Sequence, residues 1–200
     1  RLPGVVGVRL NLMGLPLPDL HAPQWQRFLA RLKALDWHLE LHRQAADLPP
    51  LLDAALRTGC RIVVDHFGRP DALQAQADPG LAALLRRAAS GRIWVKLSAA
   101  YRNAYSAQAA TAERRPALRQ AGAQADAQAA RACASRLLAA FGPERLVWGS
   151  DWPHTQHRHL TDYASSLAAL SDWVPDGAQR ARILGATAAE LFHIPPAIHP

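Results

Sequence analysis

The stretches WHLELH (residues 37–42) and IWVKLS (residues 93–98) decide the fold class, because apolar and polar side chains alternate along both. Glu40 lies between two histidines on one face of the first stretch, and Lys96 lies on the polar face of the second. Strands sandwiched between two layers of helices are instead nearly continuous apolar runs. Burying Glu40 or Lys96 against apolar helices would be costly unless each were paired. A polar barrel lumen accommodates such a face, so the alternation favours a TIM-type barrel over an open doubly wound sheet.

Strand and helix patterns alternate along the rest of the chain, which predicts an α/β protein. Three further strands are predicted in VVGVRLNL (residues 5–12), RIVVDHF (residues 61–67) and RLVWGSD (residues 145–151). Repeated βα units imply a parallel sheet covered by helices. The predicted helices begin after Pro23, at Asp47, at Asp78-Pro79, in the alanine-rich stretch that ends near Gly142, at Thr161, at Asp176 and at a capping box formed by Thr187 and Glu190.

A complete (β/α)8 barrel has eight strands and typically ~250 residues. Only five strands are predicted in the 200 residues, and the first residue is Arg1 rather than methionine. We therefore expect residues 1–200 to form a single, partial TIM-type barrel domain that lacks its first two or three N-terminal βα units.

The composition narrows the function classes. The chain has 23 Lys+Arg against 16 Asp+Glu, a formal net charge of +7, but the arginines are scattered along predicted helices. Nucleic-acid binding needs a clustered patch, so no nucleic-acid partner is expected. No apolar run approaches the ~18 residues that span a bilayer, so no membrane partner is expected either. The two cysteines have no disulfide or metal spacing, which indicates a cytoplasmic protein. The net positive charge suits a small anionic substrate. The composition is also compatible with a homo-oligomer.

Four polar residues stand at or near the ends of predicted strands, where the chemistry of TIM barrels gathers: Arg9, His66, Arg102 and Asp151. Taken singly, each also has a structural interpretation. A histidine at a strand end is commonly a hydrogen-bonded structural group, an aspartate can cap a turn, and an arginine in a strand usually pairs with a carboxylate.

Four strings carry a family resemblance: GVRLN (residues 7–11), VVDHFGRP (residues 63–70), WVKLS with the YR that follows it (residues 94–102) and ERLVWGSDWPH (residues 144–154). In this order they resemble the signatures of the amidohydrolase-related family, amidohydrolase family 2. Within that family the resemblance is to the 2-pyrone-4,6-dicarboxylate lactonase branch. It extends from about residue 5 to residue 192.

The resemblance implies a distorted (β/α)8 barrel with hydrolase chemistry at its C-terminal mouth. Asp151 matches the aspartate that acts as general base on water, and His66 matches the histidine that polarises the scissile carbonyl or holds a metal. Arg9 and Arg102 match arginines that grip substrate carboxylates.

Two further histidines match substrate-site positions. His42 stands where the lactonase branch commonly has a tyrosine that touches substrate, so an identical specificity is not implied. His154 follows Asp151 in the same segment and matches a supporting position.

The metal question stays open in the sequence. Members of the family that bind a divalent ion such as zinc use an H-x-H pair on the first strand, and no such pair opens this chain. If a metal is present, His66 and Asp151 are its expected ligands. The primary hypothesis is water attack on a lactone or ester-like bond of a small carboxylated substrate. The alternatives are a metal-dependent decarboxylase on the same barrel and a truncated, non-catalytic copy.

Three physical expectations accompany this hypothesis. A carboxylate of ordinary pKa (~3.9) is a weak base near neutral pH, so Asp151 should be partly desolvated. Glu40 is expected in a hydrogen-bond network of the lumen rather than on a metal. The run of His154, His157 and His159 is expected on a solvated loop.

Overall fold

The computed structural model describes residues 3–71, 77–103 and 116–195, with the backbone alone for residues 116–124. Five parallel strands form one sheet in sequence order, as predicted. They are β1 (Gly7–Asn11), β2 (His38–His42), β3 (Arg61–Val64), β4 (Ile93–Leu97) and β5 (Leu146–Trp148).

Seven α-helices accompany the strands in the described part of the chain. They are α1 (Pro23–Ala34), α2 (Leu48–Thr58), α3 (Pro79–Arg86), α4 (Pro116–Phe141), α5 (Tyr163–Trp173), α6 (Gly177–Leu184) and α7 (Ala186–Phe192). No helix among the described residues is both long enough and apolar enough to cross a bilayer.

Two helices start at the predicted capping residues and a third at Asp162, next to the predicted Thr161, whereas Asp47 precedes α2 without a capping side-chain hydrogen bond. The carboxylates of Asp78, Asp162 and Asp176 each accept a hydrogen bond from the backbone N–H three residues later. The predicted capping box is wrong, because Thr187 is buried and its hydroxyl donates to the carbonyl of Pro143 at 2.8 Å. Thr187 thus ties α7 to the turn before β5 instead of capping its own helix.

One face of the sheet packs against helices in an apolar core. The core includes strand residues such as Leu39, Ile62 and Val95 and the helix residues Leu29 and Leu52, all at most 1% exposed. Each fully buried leucine contributes about 1.5–3 kcal/mol relative to an exposed one. This layer therefore fixes the curvature and the position of the strands.

Close backbone contact locks α3 against the turn that precedes α2. A Cβ atom placed on Gly80 would lie 2.2 Å from the carbonyl carbon of Ala45, a distance that no side chain can tolerate. Glycine is therefore required at this position for α3 to approach this turn.

The opposite face of the sheet is divided between an apolar base and a polar end. At the base, Val63, Trp94 and Val147 pack against Leu191 of α7 in a small separate cluster. Beyond it, the polar side chains of the alternating strands are buried, including Glu40 at 8% exposure. The alternation therefore predicted correctly which side chains leave the helix-covered core.

β2 ends at His42 as predicted, but β3 and β5 are three residues shorter at their carboxyl ends than the sequence predicts. β3 ends at Val64 because His66 and Phe67 adopt positive φ values of 51° and 59° and start a 3-10 turn. β5 ends at Trp148, before Asp151, which has a φ of 59°. These early turns redirect the polar side chains at the strand ends toward one rim.

Candidate active site

The four side chains predicted at strand ends lie at the same edge of the sheet. The guanidinium Nε of Arg102 lies 2.7 Å from Oδ2 of Asp151, and Nε2 of His66 lies 3.7 Å from Oδ1 of the same carboxylate. Arg9 joins the group through Asp65, the residue before His66, with Nη2 at 2.7 Å from Oδ2 of Asp65. The structure thus brings together residues separated by more than 140 positions (Arg9 to Asp151).

The two carboxylate oxygens of Asp151 have different contacts. Oδ2 accepts hydrogen bonds from the phenol of Tyr101 at 2.5 Å and from Nε of Arg102 at 2.7 Å. Oδ1 faces the ring of His66. Burial raises the pKa of Asp151, as the sequence argument expected, but the hydrogen bonds from Tyr101 and Arg102 outweigh it and hold the pKa below its ordinary value. Asp151 is consequently ionised at neutral pH.

His66 is a buried, neutral imidazole. Its Nδ1 lies 2.9 Å from the hydroxyl of Ser98, and its side chain is only 4% exposed. Burial lowers the pKa of His66 to about 3, although nearby carboxylates act in the opposite direction. The ring of His42 packs edge-on against it, with centroids 4.7 Å apart. At neutral pH the His66 ring therefore carries one hydrogen and can act as a hydrogen-bond donor without a net charge.

A compact network of two acids and two bases lies beside His66. Nε of Arg9 is 2.8 Å from Oε1 of Glu40, and Nζ of Lys96 is 2.7 Å from Oε2 of Glu40 and 3.2 Å from Oδ1 of Asp65. Burial opposes ionisation of Asp65, but Lys96 and Arg9 outweigh it and lower its pKa. Glu40 therefore lies in a paired network, as the sequence predicted, rather than as an isolated buried charge.

Arginine side chains surround the open side of the site. The Arg9 side chain is 43% exposed, and Arg102 also donates from Nη2 to the carbonyl of Thr155 at 3.1 Å. Arg69 is partly buried and forms no side-chain hydrogen bond or ion pair within the described residues. Burial and the neighbouring Arg102 lower its pKa. An anionic ligand would relieve this repulsion.

The remaining predicted histidines have different environments. His42 is buried, with Nδ1 at 3.2 Å from Nη2 of Arg9, and burial lowers its pKa to about 4. His154 is also buried, with Nδ1 at 3.3 Å from the phenol oxygen of Tyr101, so the expectation of a solvated position is wrong for it. His157 is half-buried against the Tyr101 ring, and only His159 is exposed.

Positive-φ residues other than glycine concentrate at this rim. Besides His66 and Asp151, Arg69, Ala99 and His154 have φ values between 49° and 55°. Such conformations cost of order 1–3 kcal/mol each in residues with a Cβ, and they persist where surrounding contacts enforce them. Their clustering is typical of a functional site.

One group of possible metal ligands is present in the described residues: His42, Asp65 and His66, with ligand atoms within 4.8 Å of one another. This spacing is compatible with a divalent ion, and it includes Asp65 where the sequence had indicated Asp151. The charges oppose an ion in this arrangement, because Asp65 is already paired with Arg9 and Lys96. Arg9 also donates toward Nδ1 of His42, which places the hydrogen of that neutral ring on Nε2.

Four residues of the site were not assigned roles from the sequence: Asp65, Ser98, Tyr101 and Arg69. All four lie within the quoted family strings, next to or near a predicted site residue. Their position close to His66 or Arg102 in the sequence was therefore the signal that could have identified them. The partners of Asp65, Ser98 and Tyr101 belong to other βα units, and sequence spacing does not show which side chains meet across a sheet.

Comparison with known proteins identifies the family. The family model described as amidohydrolase matches residues 1–194. This chain belongs to the amidohydrolase family. The architecture agrees, since this amidohydrolase is an α/β protein with a parallel five-stranded sheet and its solved structural neighbours are amidohydrolase barrels.

Relatives of this amidohydrolase act on lactones, according to their names. It is 30% identical over 196 residues to D-galactarolactone isomerase of Agrobacterium fabrum, covering 96% of this chain and 60% of the relative. It is 28% identical over 181 residues to 2-pyrone-4,6-dicarboxylate hydrolase of Comamonas testosteroni, covering 90% of this chain and 55% of the relative. The chain thus spans less than two thirds of the length of these relatives.

A solved structure supports the same relationship. A Pseudomonas putida protein assigned as a 2-pyrone-4,6-dicarboxylic acid hydrolase superimposes with a TM-score of 0.80 and 41% sequence identity. The match covers 94% of this chain and 63% of that one. Membership of the amidohydrolase family, which the sequence strings predicted, is confirmed.

Proposed function

We propose that this amidohydrolase cleaves a lactone or ester-like bond of a small carboxylated compound by attack of water. The observation that carries the proposal is the geometry of Asp151. One of its oxygens is held by Tyr101 and Arg102, and the other faces the neutral ring of His66 at 3.7 Å. A substrate carbonyl and a water molecule beside this pair can contact both groups.

In this reaction Asp151 carries out both proton transfers, and His66 donates a hydrogen bond. Oδ1 of Asp151 accepts a proton from water as the water oxygen attacks the carbonyl carbon. Nε2–H of His66 donates a hydrogen bond to the carbonyl oxygen as negative charge develops there. The bond from the carbonyl carbon to the leaving oxygen then breaks, and the leaving oxygen takes the proton from Asp151. General base catalysis contributes typically 10²–10⁴-fold, and a donor to the oxyanion about 10²–10³-fold.

The arginines recognise the charge of the substrate in this proposal. Arg102 lies close enough to Arg69 to lower its pKa, and the Arg9 side chain is 43% exposed. Guanidinium groups bind carboxylates with two parallel hydrogen bonds, which fixes orientation as well as charge. His42 and His154 line the site as substrate contacts. The 2-pyrone-4,6-dicarboxylate named for one relative carries two carboxylates, in agreement with a dianionic substrate class.

A metal-dependent decarboxylase is the second candidate on this barrel. It requires a divalent ion, and the candidate ligands are His42, Asp65 and His66. A bound ion would supply Lewis-acid polarisation of the substrate. The pairing of Asp65 with Arg9 and Lys96 favours the hydrolase, because an ion at this position would have to displace two cations.

The barrel architecture, the cellular location, the partner and the assembly are proposed together with the reaction. The five strands correspond to part of a TIM-type barrel, supported by solved neighbours of which the match covers 63%. A cytoplasmic location agrees with the free thiols of Cys60 and Cys133. The proposed partner is a small anion, and neither nucleic acid nor a membrane is proposed as a partner. The proposed assembly is a homo-oligomer. An inactive protein would favour the remaining alternative, a truncated, non-catalytic copy.

The test is turnover of a lactone panel by the protein and its Asp151→Asn variant. Carboxylated lactones, neutral lactones and aromatic carboxylates are each followed by NMR, which distinguishes ring opening, lactone isomerisation and loss of carbon dioxide. We expect ring opening of carboxylated lactones, and a loss of kcat of at least about 10²-fold in Asp151→Asn. Asp172→Asn, on the exposed face of α5, is the matched control and should retain activity. Unchanged kcat in Asp151→Asn would refute the assigned base.

A further inference from the structure

The two ring nitrogens of His66 lie in different environments. Nδ1 is 2.9 Å from Oγ of Ser98, a contact between two side chains that are almost completely buried. Nε2 is buried, has no hydrogen-bond partner among the described residues, and lies 3.7 Å from Oδ1 of Asp151. A neutral imidazole carries its one hydrogen on either nitrogen, and the surroundings determine which.

The charge of Asp151 favours one position of that hydrogen. The carboxylate is ionised, because Tyr101 and Arg102 both donate to it. A ring nitrogen beside a carboxylate is stabilised when it presents N–H and is repelled when it presents a lone pair. Nε2 therefore carries the hydrogen, and Nδ1 carries the lone pair. A hydroxyl group beside a lone pair can interact favourably only as a donor.

We propose that Ser98 is a positioning residue for His66: its hydroxyl donates to Nδ1 and thereby holds the ring hydrogen on Nε2, directed toward the reacting centre. The catalytic consequence rests on the proposed hydrolase function, whereas the position of the hydrogen does not. Without the Ser98 hydroxyl, a water or no donor would face Nδ1, and both ring tautomers would become populated.

The local structure keeps the Ser98–His66 contact rigid. Ser98 follows β4 directly, and the next residue, Ala99, turns the chain with a φ of 49°. Nδ2 of Asn103 donates to the backbone carbonyl of His66 at 3.0 Å, which fixes the backbone of the histidine. The edge-on ring of His42 restricts rotation of the His66 ring. The remaining freedom at His66 is the choice of tautomer, which Asp151 and Ser98 restrict from the two sides of the ring.

The experiment measures the tautomer and the kinetics separately. Nitrogen-15 NMR of the histidine side chains is recorded for the protein, for Ser98→Ala and for Ser98→Thr, and the His66 signals are assigned by their absence in His66→Gln. We expect one tautomer with hydrogen on Nε2 in the protein and in Ser98→Thr, and a mixture in Ser98→Ala. Ser171→Ala, at an exposed position on α5, is the control and should leave the His66 signals unchanged.

We expect kcat to change in parallel with the tautomer of His66 that the NMR spectra report. Loss of an outer partner that orients a functional histidine typically costs 10–100-fold, so kcat in Ser98→Ala should fall by about that factor while KM stays nearly constant. Ser98→Thr should restore most of kcat. Hydrogen on Nδ1 of His66 in the unmodified protein, or an unchanged single tautomer in Ser98→Ala, would overturn the proposal. If the unmodified protein opens no lactone, the proposed function fails, and the tautomer in the two spectra still decides the role of Ser98.

Discussion

Replacement of Tyr101 by phenylalanine tests how the protein sets the basicity of Asp151. The phenol donates to Oδ2 at 2.5 Å, and the Asp151 side chain is 16% exposed. A hydrogen bond to a charged group contributes about 1.5–3 kcal/mol, and the lower value applies here because solvent can partly replace the phenol. Since one pKa unit corresponds to 1.36 kcal/mol, removal of about 1.5 kcal/mol raises the pKa of Asp151 by about one unit.

Because the hydrogen bond from Tyr101 lowers the pKa of Asp151, removing it raises that pKa. The pKa of Asp151 lies below its ordinary value in the folded protein, so the ionised base is lost only at strongly acidic pH. Tyr101→Phe moves the acidic limb of the kcat/KM profile upward by about one pH unit, with little change near pH 7. The same hydrogen bond stabilises the fold above the unfolded carboxyl pKa, and this contribution is lost as the pH falls through the folded pKa. The variant should therefore be less stable than the parent at pH 7, with a difference that shrinks in acid.

The assay is the pH dependence of kcat/KM with a carboxylated lactone, together with thermal unfolding at each pH. Tyr163→Phe is the matched control, because Tyr163 is 55% exposed and packs on Trp148, outside the site. Its acidic limb should coincide with that of the parent protein. An acidic limb that stays in place in Tyr101→Phe, or that moves equally in both variants, would refute the assignment of Asp151 as a base held by Tyr101.

Three further perturbations address binding, the buried charges and metal. Arg102→Met should raise KM for carboxylated lactones at least tenfold and more than for neutral lactones, and equal effects on both classes would contradict an anchoring role. Lys96→Met leaves Glu40 and Asp65 with only Arg9 and should destabilise the fold by about 3–5 kcal/mol in denaturant unfolding, whereas adding Glu40→Gln should recover part of this loss. Dialysis against a chelator should leave lactone hydrolysis unchanged, with metal content measured before and after; loss of activity that zinc restores would favour the metal-dependent alternative.

The sequence predicted the strands and the convergence of Arg9, His66, Arg102 and Asp151 because both depend on simple regularities. Side chains alternate along a strand, and the carboxyl ends of parallel strands meet at one edge. The family strings added a chemical identity to residues whose spacing alone was ambiguous. The paired environment of Glu40 also followed from the cost of burying a lone charge.

The parts that were missed depend on contacts between segments far apart in the chain. The direction of the Asp151 pKa shift depends on Tyr101 and Arg102, about 50 residues earlier, which together outweigh the effect of burial. His154 looked like part of a polar loop, and its burial follows from packing beside Tyr101. Thr187 matched a local capping pattern but bonds to Pro143 instead. Local patterns do not contain these tertiary partners.

The left-handed residues at the rim impose a trade-off on any attempt to make this protein more robust. Glycine at Ala99 or Phe67 would relieve backbone strain, yet it would also release the two turns that aim Ser98 and His66. Thermostabilising substitutions at this edge should thus tend to lower turnover. Substitutions that raise the melting temperature without that penalty are to be sought at exposed helix positions outside this rim.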